Sequence, residues 1–371
     1  MAIPVLTAGF GEGHNAAARA VAEALTRLSP DAPPTVARDL FEEAYGPERF
    51  GRQRRLYLDL ANRAPLLWAG VYHALDRLPL VALGLPFLGP VARRLDDALE
   101  ARPRVIVSTY PLYPHLLARR FRRDDPARPA VITVVTDSLS VNRVWHGAES
   151  DVWVAPNEPT AAVLVRQGVP PAKVRALGFP VNRRLRAPAA EPAARPRVLL
   201  MLNPGRRDAV ALARAVAACD VDLTVTVGRD ADFRSAVEAA LGPRAAVVGW
   251  TDRLPELMLA HDLILTKAGG ATTHEAVAAN IPLVFTQVIP GQEAGNARLV
   301  VEGGGGAYGL TPAAAAAAVD AAFADGRRRW LGWRRALAGL GDPLGADRVA
   351  SLALELDQAR RASSAAMRAA S

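Results

Sequence analysis

DLILTKAGGATTHEAVAANIPLVFTQVIPGQEAGNA, residues 262–297, is the stretch from which the fold is read. Leu263 to Leu265 is an apolar β-type run that stops at Thr266. Lys267, Ala268, Gly269 and Gly270 follow, and a helix-forming run extends from Thr273 to Ala279. Strand, glycine turn and helix in that order are a unit of an α/β sheet. The turn aims backbone N–H groups and the positive end of a helix dipole at one point, and Gly269 and Gly270 remove the side chains that would keep an anion away. A diphosphate suits it. Glu275 is expected in the first turn of the helix, where its carboxylate can accept from the two hydroxyls of a ribose. An acid there can also simply favour the helix N-terminus, but Thr272, Thr273 and Glu275 arrive together with the glycines, which favours the ribose. After a second apolar run, Ile281 to Thr286, the loop PGQEAGNA carries Gln292, Glu293 and Asn296, the amides and carboxylate that sugar hydroxyls need.

The run from Lys267 to Asn296 resembles the donor-site signature of GT-B glycosyltransferases. It is most similar to the group containing monogalactosyldiacylglycerol synthases and processive diacylglycerol glucosyltransferases, and less so to the peptidoglycan N-acetylglucosaminyltransferase. Glycine turn, acid and amide loop recur in order and spacing, which a lone glycine pair would not establish. The resemblance implies a UDP-sugar donor, UDP-glucose or UDP-galactose, and no other cofactor.

The chain opens with the same grammar. Ile3 to Thr7 is a short strand, Gly9 to His14 a glycine-rich turn, and Asn15 to Leu28 an alanine-rich helix. GFGEGH lacks the dinucleotide spacing and ends in a histidine instead of a third glycine. It resembles the SxGxGH-type opening of the acceptor domain in the lipid glycosyltransferases, through Gly9, Gly11, Gly13 and His14, with Asn15 starting the helix. That resemblance implies a histidine facing the site of sugar transfer; the plain alternative is a loop histidine bonded to backbone. An imidazole with an ordinary pKa of about 6.5 takes a proton near neutral pH better than a carboxylate of about 4. His14 is therefore the expected base, with Asp137 orienting it or bonding the acceptor, or taking its place as base.

Arg104 to Ser108 and Val131 to Val135 read as buried parallel strands ending in the polar turns STYPLYPH and TDSLSVNRVWH. Open α/β sheets place ligands at that carboxyl edge, so His115 and Asp137 are candidates. Relatives carry a threonine–aspartate pair followed by histidine, proline and tryptophan. Here Thr136, Asp137 and Trp145 match, but Asn142, Arg143 and Val144 precede the tryptophan and the histidine is missing. Ser150 to Ala155 and Asn157 to Val165 add a strand and a helix, and Gly168 to Pro180 resembles the end of the acceptor domain.

The expected division is an N-terminal acceptor and membrane-facing domain over 1–181, an arginine-, alanine- and proline-rich linker over 182–196, a UDP-sugar domain over 197–325, and C-terminal helices over 326–371 that cross back to the first domain and end in a disordered tail. Arg197 to Leu202, Val221 to Val227 and Ala245 to Gly249 supply further β patterns. Where relatives have a second glycine-rich turn, this chain has Asn203, Pro204, Gly205, Arg206 and Arg207; the arginines can offer charge to the diphosphate in compensation but are read mainly as solvated. GWTD, Gly249 to Asp252, matches a loop that contacts uracil in relatives and nominates Trp250 and Thr251.

The chain has 371 residues, half of them hydrophobic, enough for two cored domains. Its formal charge is +8, and Lys173 and Lys267 are its only lysines. A basic balance admits nucleic acid, anionic membranes or anionic small molecules, but there is no zinc-finger or RNA-recognition signature and aromatic residues are sparse, which argues against nucleic acid. The single cysteine, Cys219, excludes an intramolecular disulfide framework, and MAIPVLTAGFGEGHN does not read as a secretory signal. A cytoplasmic protein is expected.

Arg49 to Leu95 is apolar but interrupted by Asp59, Arg63, Asp76, Arg77 and several prolines, too broken to span a bilayer. Basic residues beside Trp68, Tyr72 and Phe87 suit a segment lying on an anionic membrane, here the inner face of the plasma membrane. A helical hairpin packed on the core is the plain alternative. The expected fold is α/β of GT-B type, two facing doubly wound Rossmann-like domains with a cleft between them. The expected function is inverting hexose transfer from a UDP-sugar to a lipid acceptor, diacylglycerol above others. No metal is expected, since Lys267, the turn amides and the helix dipole can stabilise the leaving diphosphate and no ligand set competes. A UDP-sugar 2-epimerase of the same architecture, a non-catalytic UDP-sugar sensor and a nucleic-acid binder are the alternatives.

Overall fold

The computed structural model describes residues 3–77, 80–187, 192–203, 205–291 and 293–370. The chain divides into two compact units. One comprises Met1–Leu60, Leu66–Asn182 and Leu344–Ser371; the other comprises Ala61–Pro65 and Arg183–Pro343.

The first unit is built on six parallel strands: β1 (Val5–Thr7), β2 (Ala37–Asp39), β3 (Val105–Ser108), β4 (Ala130–Val134), β5 (Val152–Ala155) and β6 (Val174–Ala176). Their spatial order is β2-β1-β3-β4-β5-β6. The central strands VIVS and AVITV are buried along their whole length, as expected of a parallel sheet covered on both faces. Sequence order reverses between β1 and β3, so the loops leaving those two strands diverge and open a crevice at the carboxyl edge.

On one face, helix Glu12–Leu28 buries Ala17, Ala18, Val21, Ala24 and Leu25. The C-terminal helix Gly345–Ala370 joins the same core through Ala346, Val349, Ala350 and Ala353. The small side chains let it come close. A Cβ on Gly345 would lie 2.5 Å from the Phe179 carbonyl oxygen, so the entry to this helix requires glycine. Arg104 Nε donates to Asp357 Oδ1 at 2.8 Å and fastens the helix farther along. The helix continues to Ala370 through the residues expected to be disordered; alanine, arginine and methionine favour helix, and no proline or glycine interrupts them.

Residues 47–99 form helices Pro47–Arg63, Pro65–Arg77, Leu80–Gly84 and Gly89–Leu99, with a 3-10 turn at Leu85–Leu88. No helix among the described residues is long and apolar enough to cross a membrane.

The second unit also has six parallel strands: β7 (Arg197–Met201), β8 (Asp222–Thr226), β9 (Ala245–Val248), β10 (Leu263–Lys267), β11 (Leu283–Gln287) and β12 (Gly306–Tyr308). Their order, β12-β11-β10-β7-β8-β9, is the doubly wound dinucleotide-binding order, and its reversal falls between β7 and β10. The unit extends past the expected boundary at 325. Helix Pro312–Leu337, interrupted at Ala324–Arg327, buries Trp330 and Trp333 in this unit's core, and Trp330 Nε1 donates to the Asp262 carbonyl at 2.6 Å. Leu185, in the stretch expected to be linker, is buried in a 3-10 turn at Arg183–Arg186.

Asp357 is almost wholly buried and accepts from both Arg104 and Arg361. Asp357→Ala would leave the Arg104 guanidinium, three-quarters buried, without its carboxylate. Chemical denaturation is expected to show a loss of about 1–3 kcal/mol, and Asp357→Asn a smaller one.

Candidate active site

His14 is brought to the crevice of the first sheet by a helix that starts earlier than expected. The helix begins at Glu12 with extended Gly11 (φ −138°) as its N-cap, so His14 lies in the first turn and not in the loop. Glu12 there complements the helix dipole. His14 Nδ1 lies 2.8 Å from the Thr109 carbonyl oxygen and 2.9 Å from Thr136 Oγ1. A carbonyl can only accept, so Nδ1 carries the proton and Nε2 carries the lone pair. Thr109 Oγ1 in turn donates to the His14 carbonyl at 3.0 Å. Burial pushes the imidazole down to about 4, against a smaller opposing effect of the Thr109 bond, so the ring is neutral at cellular pH. Tyr110 meets the ring edge-on at 5.1 Å and Trp145 lies 5.8 Å from it, centroid to centroid.

The other residues singled out in this unit have different surroundings. Asp137 is buried, and its Oδ2 accepts from Trp145 Nε1 at 2.8 Å. Trp145 is 2% exposed, and its carbonyl accepts from Trp153 Nε1 at 3.0 Å, making it a core residue beneath the site. Asn15 Oδ1 accepts from Thr7 Oγ1 at 2.9 Å, joining the helix to β1. Gly11 is not required by the protein's own packing, because an added Cβ would meet nothing within 4 Å; Gly13 follows as the second residue of the helix. His115 Nε2 donates to the Val144 carbonyl at 2.9 Å, which fits a packed histidine.

In the second unit, Lys267 ends β10, Gly269 caps helix Gly270–Ala278, and Glu293 precedes helix Ala294–Glu302. Lys267 Nζ donates to Glu293 Oε1 at 2.8 Å, and Glu293 Oε2 accepts from the Ile289 amide at 3.1 Å. Asn296 is buried, and its Nδ2 donates to the Ala268 carbonyl at 3.1 Å, so this amide holds the glycine turn from behind. Helix Gly270–Ala278 starts three residues before the expected Thr273, which moves Glu275 out of the first turn and into the second. The dipole argument for an acid there lapses, because that effect falls off within one turn. Thr272 is half-buried; Thr273 is fully buried and its Oγ1 has no partner. Gln292 lies outside the described residues.

Trp250 and Thr251 follow β9, three strands from β10 and so about 14 Å along the sheet edge. Trp250 is 58% exposed with the Arg229 guanidinium 3.8 Å above its ring, and Thr251 Oγ1 accepts from the Arg253 amide at 3.0 Å. Arg206 is not solvated as expected. It pairs with Asp208 and donates to the carbonyls of Thr286 and Leu310, pinning the loop after β7 to the ends of β11 and β12. The sequence reading missed Thr109, Tyr110, Arg229 and Gln287, whose buried Oε1 has no partner. Thr109 was legible as the first residue after an apolar strand; nothing in the sequence paired Arg229 with Trp250.

Two units, each a doubly wound six-stranded parallel sheet, give the chain a fold of GT-B type. Residues 14–181 match the family model for monogalactosyldiacylglycerol (MGDG) synthase. The chain is 28% identical over 337 residues to the chloroplastic monogalactosyldiacylglycerol synthase of Spinacia oleracea, an alignment covering 83% of this chain and 63% of the spinach protein. It is 24% identical over 318 residues to the processive diacylglycerol beta-glucosyltransferase of Bacillus subtilis, covering 81% of each. The chain thus spans less than two thirds of the plant relative's length. Among solved structures it is similar to S. aureus MnaA bound to UDP (TM-score 0.62, 14% identity, 94% of each chain) and to Acinetobacter baumannii MurG (TM-score 0.57, 13% identity, 96% of this chain and 100% of that one). The resemblance read from Lys267 to Asn296 therefore extends along most of the chain, to the monogalactosyldiacylglycerol synthases and the processive diacylglycerol glucosyltransferase.

His274, beside Glu275, is buried and pushed down to about 3 by that burial. Folded, it stays neutral; unfolded, it takes a proton near pH 6.5. Its contribution is fully present above that value and is lost as pH falls toward 3. The urea midpoint is expected to drop between pH 7 and pH 4, and His274→Leu, which keeps an apolar side chain without the titration, to make that drop shallower.

Proposed function

We propose that this chain transfers a hexose, with inversion, from UDP-glucose or UDP-galactose to a membrane lipid of diacylglycerol type. The relatives' names supply the substrate classes. The observation that carries the chemistry is the His14 tautomer: Nδ1–H is held by Thr109 and Thr136, leaving the Nε2 lone pair for a proton. On this reading Nε2 accepts the proton of the lipid hydroxyl as its oxygen attacks the anomeric carbon, and the bond from that carbon to UDP breaks on the opposite face. A pKa near 4 removes the advantage in basicity expected over a carboxylate, so it is the fixed tautomer that favours His14, and the low pKa keeps the ring unprotonated at neutral pH. Asp137 remains the alternative base.

The donor is assigned to the carboxyl edge of the second sheet. Lys267, the amides at Gly269 and Gly270 and the dipole of helix Gly270–Ala278 supply positive charge to the departing diphosphate, so the reading requires no metal. Glu275 is assigned to the ribose and Trp250 with Thr251 to the base. Helices between 47 and 88 are assigned to an anionic membrane surface, on the cytoplasmic side. Of the expected interfacial aromatics Phe87 is exposed at 82%, whereas Trp68 and Tyr72 are half-buried and the Tyr72 hydroxyl donates to the Ser140 carbonyl; Leu56, Leu67, Val71 and Leu83 are exposed there, together with Arg52, Arg55 and Arg77. No role with nucleic acid is assigned.

Incubating membranes with the protein and radiolabelled UDP-glucose or UDP-galactose should yield a labelled lipid with one donor or both. Release of free UDP with no labelled lipid from either donor would overturn the proposal. Glu275→Ala should weaken UDP and UDP-sugar alike by about 1–3 kcal/mol in calorimetry, and unchanged UDP affinity would take Glu275 out of the site.

A further inference from the structure

Glu293 looks from sequence like a sugar ligand, but both of its carboxylate oxygens are already engaged. Oε1 accepts from Lys267 Nζ at 2.8 Å and Oε2 from the Ile289 amide at 3.1 Å, with the side chain only 7% exposed. Lys267 is 38% exposed, so the buried member of the pair is the acid and the accessible one is the ammonium. The pair lies against the glycine turn. A Cβ on Gly269 would sit 3.5 Å from Lys267 Cε and 3.7 Å from Glu293 Oε1.

The backbone beneath is held as well. The Ala268 amide donates to the Gln287 carbonyl at 2.9 Å, and the Ala268 carbonyl accepts from Asn296 Nδ2 at 3.1 Å. A lysine on a four-carbon stem loses much rotamer freedom when it must meet a phosphate oxygen. A fixed carboxylate removes that freedom beforehand and takes one of the three ammonium N–H groups, leaving the others for a ligand.

Resting on the donor site proposed above, we infer that Glu293 is a positioning residue acting through Lys267, which it sets toward the diphosphate, and not a ligand of the hexose. A preset ammonium stabilises the charge that develops on the leaving diphosphate without reorganising during the reaction. The sign of the effect on binding sets this role apart. The acid also opposes the approach of the diphosphate's negative charge, which in ground-state binding offsets what the preset ammonium contributes, so its neutralisation leaves UDP affinity unchanged or raises it. The loss falls on turnover.

A double-mutant cycle with Glu293→Gln and Lys267→Met, read in kcat for hexose transfer and in UDP affinity by calorimetry, separates the alternatives. Glu293→Gln keeps the size of the side chain and an oxygen for the Ile289 amide, and UDP binding by each variant reports that its site is folded. Glu293→Gln alone is expected to lower kcat about tenfold or more, with UDP affinity unchanged or tighter. In the Lys267→Met background the same substitution should change kcat by less than about twofold. If the two factors multiply, or if Glu293→Gln leaves kcat intact and shifts only the choice between glucose and galactose, the inference is overturned and Glu293 meets the sugar directly. A wild-type protein that binds no UDP would contradict the donor-site reading beneath it, a result distinct from either.

Discussion

One residue just past the end of a strand ties together the chemistry of the first sheet. Thr109 follows β3 at the point where the sheet's order reverses, and its amide donates to the Leu6 carbonyl of β1 at 3.0 Å. Its hydroxyl donates to the His14 carbonyl, and its own carbonyl receives the His14 Nδ1 proton. Two strands and a helix N-terminus are thereby locked at one point, and the imidazole is left with one tautomer. Remove the carbonyl's claim on Nδ1 and either ring nitrogen can carry the proton; with it, only Nε2 can accept one.

The same topology operates in the second sheet with different chemistry. Between β7 and β10 the diverging loops again leave a crevice, but the groups delivered there are positive: a lysine, the amides of a glycine turn and a helix N-terminus. Parallel strands buried on both faces leave little else to vary. The proposed chemistry is assigned to the short loops at the carboxyl edges, a proton acceptor on one sheet and an anion cradle on the other.

What could be read in the sequence follows from how local each feature is. Strand, glycine turn and helix announce themselves through short-range periodicity, so both carboxyl-edge turns, at His14 and at Lys267, were legible. The edge strands β2, β6 and β12 were not, because three residues such as Ala-Arg-Asp or Gly-Ala-Tyr carry no apolar run and are strands only by pairing with a neighbour. Both functional helices begin three residues before their alanine-rich or apolar patterns do. Extended glycines, Gly11 and Gly269, cap them, and a cap is not part of the helical period. Partnerships across the fold were hidden too: Lys267 with Glu293, Arg206 with the ends of two strands, Asn296 with Ala268. Composition marked these residues as polar and near the site, but only tertiary packing decides which of them face a ligand and which hold the ones that do.

The account stands or falls on His14 as the group that takes the proton. The most direct measurement is steady-state hexose transfer by His14→Ala beside its UDP affinity. Turnover is predicted to fall about a hundredfold or more with UDP binding unchanged, because the substitution removes only the base and its ring contacts in the first unit. Near-normal turnover in His14→Ala, with Asp137→Asn abolishing it, would contradict the account and assign the base to the aspartate.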